Sequence, residues 1–188
     1  MRAEIYWIPY TAPGQIAVMQ KPPGFQWLEE EMHELKSQGV DILVSALEPF
    51  ESEVLGLSEE KLKAEAACME FYNYPIVDHD IPDEFPSILK LIATLSRKSK
   101  EGQNVVFHCR KGIGRSPLLA ASLMVYQGMS TRRAFQLIRK ARQFPVPDVP
   151  DQYRFVQQIE RMYSDRNPYE NPIEYIRDWA SEKLGRSI

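Results

Sequence analysis

A short apolar run, Asn104 to Cys109, passes through HCRKGIGRSP straight into a second apolar stretch from about Arg115 to Tyr126. No other feature restricts the fold as much. A run that is apolar on successive residues suits a strand covered on both faces, and the longer stretch, closed by Gly128, suits a buried helix. Strand, tight loop and helix in that order form the basic unit of an α/β sandwich. At the start of such a helix several backbone N–H groups converge, and the helix dipole adds about half a positive charge. Gly112 and Gly114 supply the backbone angles that a loop wrapped around an oxyanion needs. The segment therefore reads as an anion cradle.

The rest of the chain repeats the alternation. Glu4 to Ile8 and Gln15 to Gln20 read as strands joined in a hairpin, with Pro13 and Gly14 in the turn. Trp27, Leu28, Glu31, Met32 and Leu35 have helical spacing, ended by Gly39. Asp41 to Leu47 reads as a buried strand, and Ser58 with Lys61 to Met69 as a helix that buries Cys68. Glu70 to Val77 is expected as a strand leading into the acidic loop DHDIPDEFP. Helices follow at about Pro86 to Arg97, from Ser130 with Phe135, Leu137, Ile138 and Ala141 inward, and at about Asp151 to Tyr163. The expectation is an α/β fold with a central, mostly parallel sheet of about five strands and helices on both faces. At 188 residues the chain is one domain with an appendage. Residues 1–164 form the domain. Residues 165–188, where Ile173, Ile176, Trp179, Ala180 and Leu184 share one side after the turn Asn167 to Pro172, form a C-terminal helical extension expected to pack on it.

Composition removes several function classes. The formal net charge is −3, so the molecule as a whole has no basic footprint for nucleic acid, and any anion must be met locally. Two cysteines and three histidines make neither a disulfide framework nor a closed zinc site. A reducing compartment, the cytoplasm, is the expected location, with no metal and no cofactor. Glu4 and Pro9 interrupt the N-terminus where a signal peptide would be apolar, and no run is long enough to insert into a membrane.

Chemistry concentrates at Cys109. A helix N-terminus and a nearby guanidinium lower a thiol's pKa by units, so Cys109 is expected to be an activated nucleophile. Arg115, five residues beyond it along a curved loop, can return to the cradle and hold two oxygens in its planar fork. Ser116 can hydrogen-bond the sulfur. A buried strand-end cysteine and a surface arginine are the bland readings, and neither explains the glycines between them. Among the acids of the following loop, Asp83 stands before a helix and is expected to cap it, which leaves Asp78 and Asp80. Arg110 and Lys111 either draw in anionic substrates or are simply solvated. The same choice applies to the basic helix of Arg132, Arg133, Arg139, Lys140 and Arg142.

Cys109 and Arg115 with five residues between, His108 before and Ser116 after, resemble the signature of the cysteine-dependent protein tyrosine phosphatases, in their small dual-specificity branch. Tyr74-Pro75-Ile76-Val77-Asp78 resembles the opening of the family's general-acid loop. Gly128-Met129-Ser130 before a helix ending in Arg139 and Arg142 is also similar to the small enzymes. The resemblance implies a protein phosphatase acting on phosphotyrosine, with phosphoserine and phosphothreonine as a wider range, through a cysteinyl-phosphate intermediate. Its substrate would be a phosphorylated protein. It further implies Cys109 as nucleophile, Asp78 rather than Asp80 as general acid, and Ser116 as stabiliser of the departing thiolate. Arg110, Lys111, Gly112, Ile113, Gly114 and Arg115 would bind phosphate, His108 would support the loop, and Gln152 would orient water. Phosphoinositide or inositol-phosphate phosphatases are the alternative. They tend to carry basic residues late in the loop, where this chain has Ile113 and Gly114. A non-catalytic phosphate-binding scaffold would be expected to lack one of Cys109, Arg115 and the acid. A sulfurtransferase or arsenate reductase leaves Asp78 unexplained.

Overall fold

Alternating side chains on short strands give this protein two apolar faces to cover. The computed structural model describes residues 3–10 and 12–164; the expected C-terminal extension lies outside them. Strands β1 (Ile5–Trp7), β2 (Ile16–Gln20), β3 (Ile42–Ser45), β4 (Glu70–Asn73) and β5 (Val105–Cys109) form one sheet in the order β1-β2-β5-β3-β4. β1 pairs antiparallel with β2, as the hairpin reading expected, and every other pair is parallel. β5 lies at the centre with Cys109 opposite Gln20 of β2 and His108 opposite Ser45 of β3.

Side-chain alternation sorts the sheet residues into two cores. Ala17, Met19, Leu43 and Val106 point to one side and pack with Leu28, Met32 and Leu35 of α1 (Leu28–Ser37) and Ala64 of α3 (Glu60–Ala66). Ile16, Val18, Ile42, Val44, Val105 and Phe107 point to the other. There they meet α4 (Phe85–Lys100), α5 (Arg115–Tyr126), α6 (Thr131–Arg142) and α7 (Pro150–Ser164). α5 is buried along almost its whole length, from Arg115 to Val125. Each fully buried Leu, Ile, Val or Phe contributes about 1.5–3 kcal/mol. Both faces are covered, so β3 and the central β5 are buried at every position. Ser130 caps α6 as expected, accepting from the Arg133 N–H.

Four local readings are corrected. The sequence contains a further short helix, α2 (Pro49–Val54), with Pro49 in its first turn and Glu48 at the N-cap; six residues are too few for periodicity to reveal. β4 ends at Asn73, because Pro75 has no N–H to continue the ladder. The chain nonetheless follows β3 a little further, Tyr74 and Ile76 donating to the carbonyls of Ser45 and Ala46. Asp83 does not cap α4, whose N-cap is Glu84 with no side-chain hydrogen bond. Cys68 is exposed rather than buried, since the chain turns left-handed there (φ 60°) just after α3. It lines a cleft of about 540 Å³ with Lys36, Glu65 and Glu70 that contains none of the loop residues.

Candidate active site

The parallel strands deliver their C-terminal ends to one edge, the usual location of sites in open α/β sheets. There β5 ends at Cys109, the loop 110–114 turns, and α5 begins at Arg115. Gly112 is the residue that lets the loop close. Its φ is +72°, and a Cβ there would lie 2.7 Å from the Met19 carbonyl oxygen. The loop is thus pressed on β2, and the Gly112 N–H turns inward to donate to Cys109 Sγ at 3.3 Å. Ser116 Oγ lies 3.4 Å from the same sulfur. Cys109, Arg115 and Ser116 are all buried. The expected partners of the thiol are therefore gathered around it.

Arg115 is held on several sides. Its Nη1 donates to Glu51 Oε2 at 2.5 Å and to the Ile76 carbonyl at 2.9 Å, while Nη2 donates to Glu51 Oε1 at 2.9 Å. Asp78 Oδ1 lies 3.0 Å from Nη2. Burial works against the guanidinium charge, but the Glu51 hydrogen bond and the charges of Cys109, Glu51 and Asp78 outweigh it, raising the Arg115 pKa above its ordinary value. Burial likewise opposes ionisation of Glu51, yet hydrogen bonds from Arg115 and the Glu48 N–H, with the charges of Arg115 and Arg110, hold its carboxyl below the usual range. Glu51 also accepts from the Glu48 N–H at the start of α2, which ties its carboxylate to the helix end.

The acid loop separates its two candidates. Asp78 lines the cleft over the thiol. Asp80 is folded into its own turn, accepting from the Ile81 N–H at 2.8 Å, and does not line that cleft. Gln152 is buried and also absent from the cleft; its Nε2 donates to the Asp80 carbonyl at 3.2 Å, tying α7 to the acid loop. Asp148, between α6 and α7, does line it. A methyl at Gly114 would come within 2.2 Å of Asp148 Oδ1, which measures how closely that carboxylate covers the start of α5. His79, with φ +61°, lies between the acids, 3.7 Å from Asp78 Oδ2 and 3.4 Å from Asp148 Oδ2.

Two supports lie behind the loop. His108 is fully buried on β5, its Nε2 3.0 Å from Oε1 of the buried Glu60, a close approach without hydrogen-bond alignment. Arg142, at the end of α6, donates to the carbonyls of Lys111 and Gly112 at 3.1 and 3.2 Å and stacks 4.2 Å from the Tyr6 ring centroid. The basic helix is thus partly internal bracing. Glu51, Asp148 and the bracing by Arg142 were missing from the sequence reading. Only Arg142 had a signal, its place in the segment similar to small dual-specificity enzymes.

A family profile described as dual specificity phosphatase, catalytic domain, matches residues 49–164, more than half of the chain. Among solved structures, the kinase associated phosphatase, solved with its catalytic-site cysteine changed to serine, is 18% identical with a TM-score of 0.77, covering 89% of this chain and 99% of that one. Tk-PTP in its active form is 25% identical with a TM-score of 0.65, covering 79% and 92%. PTPMT1 in complex with PI(5)P is 18% identical with a TM-score of 0.65, covering 79% and 93%. No curated protein sequence gives a significant match. Among the described residues no helix is long and apolar enough to cross a membrane.

Proposed function

The chain belongs to the dual specificity phosphatase family and is a protein-tyrosine/dual-specificity phosphatase, and on that footing we propose how its residues divide the reaction. Cys109 attacks phosphorus as the thiolate, forming the S–P bond while the P–O bond to the substrate oxygen breaks. Asp78 delivers a proton to that leaving oxygen. Water then attacks the cysteinyl-phosphate, Asp78 takes its proton, and phosphate leaves with the thiolate restored. Backbone N–H groups of Arg110, Lys111, Gly112, Ile113, Gly114 and Arg115, with the Arg115 guanidinium, bind the phosphoryl oxygens in both steps. Ser116 donates to the departing sulfur. His108 supports the loop from below.

The observation that carries this division is the convergence of Cys109, Arg115 and Asp78 at one cleft. Asp78 and Asp148 line this narrow cleft together with Cys109 and Arg115, so a phosphoryl group that enters it meets both carboxylates. Asp78 Oδ1 lies 3.0 Å from Arg115 Nη2, so the acid and the phosphoryl group meet at the same edge of the guanidinium. Gln152 contributes at one remove, by anchoring the loop that presents Asp78.

The physiological substrate is a phosphorylated protein in this reading, and the phosphoinositide alternative stays open to one comparison. Hydrolysis of a phosphotyrosyl peptide, a phosphothreonyl peptide and a phosphoinositide is measured side by side in the presence of a chelator. Turnover of the peptides at the higher kcat/KM supports the protein reading. Turnover of the lipid alone would replace it.

A further inference from the structure

Next to the cleft lies a second groove of about 400 Å³, formed by the segment that follows β2 and by the end of α2. Arg110 lines both, so the groove is continuous with the cradle. The Lys21 N–H donates to the Arg110 carbonyl at 3.3 Å, which fixes the groove wall to the loop itself. We propose that this groove recognises the substrate segment flanking the scissile phosphate. It would hold an acidic or phosphorylated residue between Lys21 and Arg110, and an aromatic or branched apolar residue against Phe25, Trp27 and Val54. This rests on the protein-phosphatase reading above.

Charge, strain and the distribution of apolar surface agree on the occupant. The Lys21 ammonium donates to the neighbouring Pro22 carbonyl, and Arg110 acts on Glu51 without closing an ion pair, so two cations lack a paired carboxylate among the described residues. Phe25 is 67% exposed and Trp27 55%, an unusual amount of aromatic surface beside an anion site. Phe25 also has φ +54°, a conformation that disfavours a bulky side chain. Its backbone is held there by the neighbouring loop. The Phe25 N–H donates to the Gly56 carbonyl at 2.8 Å, and a Cβ on Gly24 would lie 2.0 Å from the Leu55 carbonyl oxygen. The fold thus holds an exposed ring in a disfavoured conformation where a flanking residue of the substrate would pass. Glu29 is paired with Lys63 at 2.7 Å, while exposed Glu30 and Glu53 lie close in the chain to Trp27 and Val54. They would repel an anionic membrane surface, while leaving the inner cations to a single acidic group.

The test compares a phosphotyrosyl peptide with alanine flanks against the same peptide carrying a glutamate or phosphoserine and a phenylalanine near the phosphotyrosine, scanned on both sides. A small aryl phosphate and vesicles containing a phosphoinositide serve as references. Wild-type protein should prefer the decorated peptide by about tenfold in kcat/KM, the size of one charge-assisted hydrogen bond. Lys21→Ala and Trp27→Ala should each remove most of that preference and leave aryl phosphate turnover unchanged. Phe25→Gly, which relieves the left-handed strain, guards against misfolding and should weaken the preference too. An unchanged preference in all three variants would overturn the proposal. So would a loss confined to the vesicles, which would make the groove a lipid face. Failure to hydrolyse any phosphopeptide, with aryl phosphate still turned over, would overturn the protein-phosphatase reading and the groove with it.

Discussion

Replacing Glu51 by glutamine tests how Arg115 is held. Glutamine keeps the shape of the side chain and an oxygen for the Glu48 N–H, so the start of α2 survives. It places an amide NH2 where Glu51 Oε1 accepted from Arg115 Nη2 at 2.9 Å. One charge-assisted hydrogen bond is lost, worth about 1.5–3 kcal/mol, and a guanidinium only 1% exposed loses its closest carboxylate. The larger penalty of about 3–5 kcal/mol for stranding a buried charge is reduced because Asp78 remains 3.0 Å from Nη2. About 2 kcal/mol results, or roughly a thirtyfold fall in kcat/KM. Arg115 holds the phosphoryl oxygens whatever the leaving group, so the fall should be similar for good and poor leaving groups. Steady-state kinetics on a phosphotyrosyl peptide and on an activated aryl phosphate, with thermal unfolding as a folding check, measure both. A folded Glu51→Gln protein within threefold of wild type on both substrates would refute the reasoning.

Three further outcomes follow from the same geometry. Asp78→Ala should slow esters of high leaving-group pKa by about a hundredfold and activated esters far less; equal effects would move the acid role to Asp80. Gly112→Ala should cost about 1–3 kcal/mol of stability from its left-handed backbone alone, and more from the 2.7 Å approach to Met19. Loss of phosphate affinity should accompany the lower Tm, and a normal Tm would contradict the close packing. Glu51 predicts a pH dependence, because its carboxyl is depressed from the ordinary 4.5 in the folded protein. Its stabilisation is present above that value and is lost as pH falls through the folded pKa. Unfolding free energy should therefore decline more steeply below about pH 4.5 in wild type than in Glu51→Gln, and matching slopes would remove Glu51 from the stabilising groups.

What could be read from the sequence depended on how local the information was. Cys109, the glycines, Arg115 and Ser116 occupy one strand–loop–helix unit, so the short-range rules that build the unit also place its chemistry. The sheet was legible for the same reason, since each strand was bounded by breakers or by helical periodicity. Glu51 was not, because it reaches Arg115 across 64 residues of sequence from a six-residue helix with too little pattern to stand out. Asp148 sits in a loop whose path depends on how α6 and α7 pack. Asp83 and Cys68 differ at helix ends, where the N-cap of α4 falls one residue on at Glu84 and the left-handed turn at Cys68 carries its thiol to solvent.

Passage of the phosphoryl group through Cys109 is tested directly by rapid acid quenching followed by mass spectrometry. Asp78→Ala, mixed with an activated aryl phosphate, should form the intermediate while its hydrolysis is slowed, leaving phosphoryl mass on the peptide that carries Cys109. In Cys109→Ser both that adduct and turnover should disappear. A phosphoryl adduct on any other residue, or undiminished turnover in Cys109→Ser, would contradict covalent catalysis at this site.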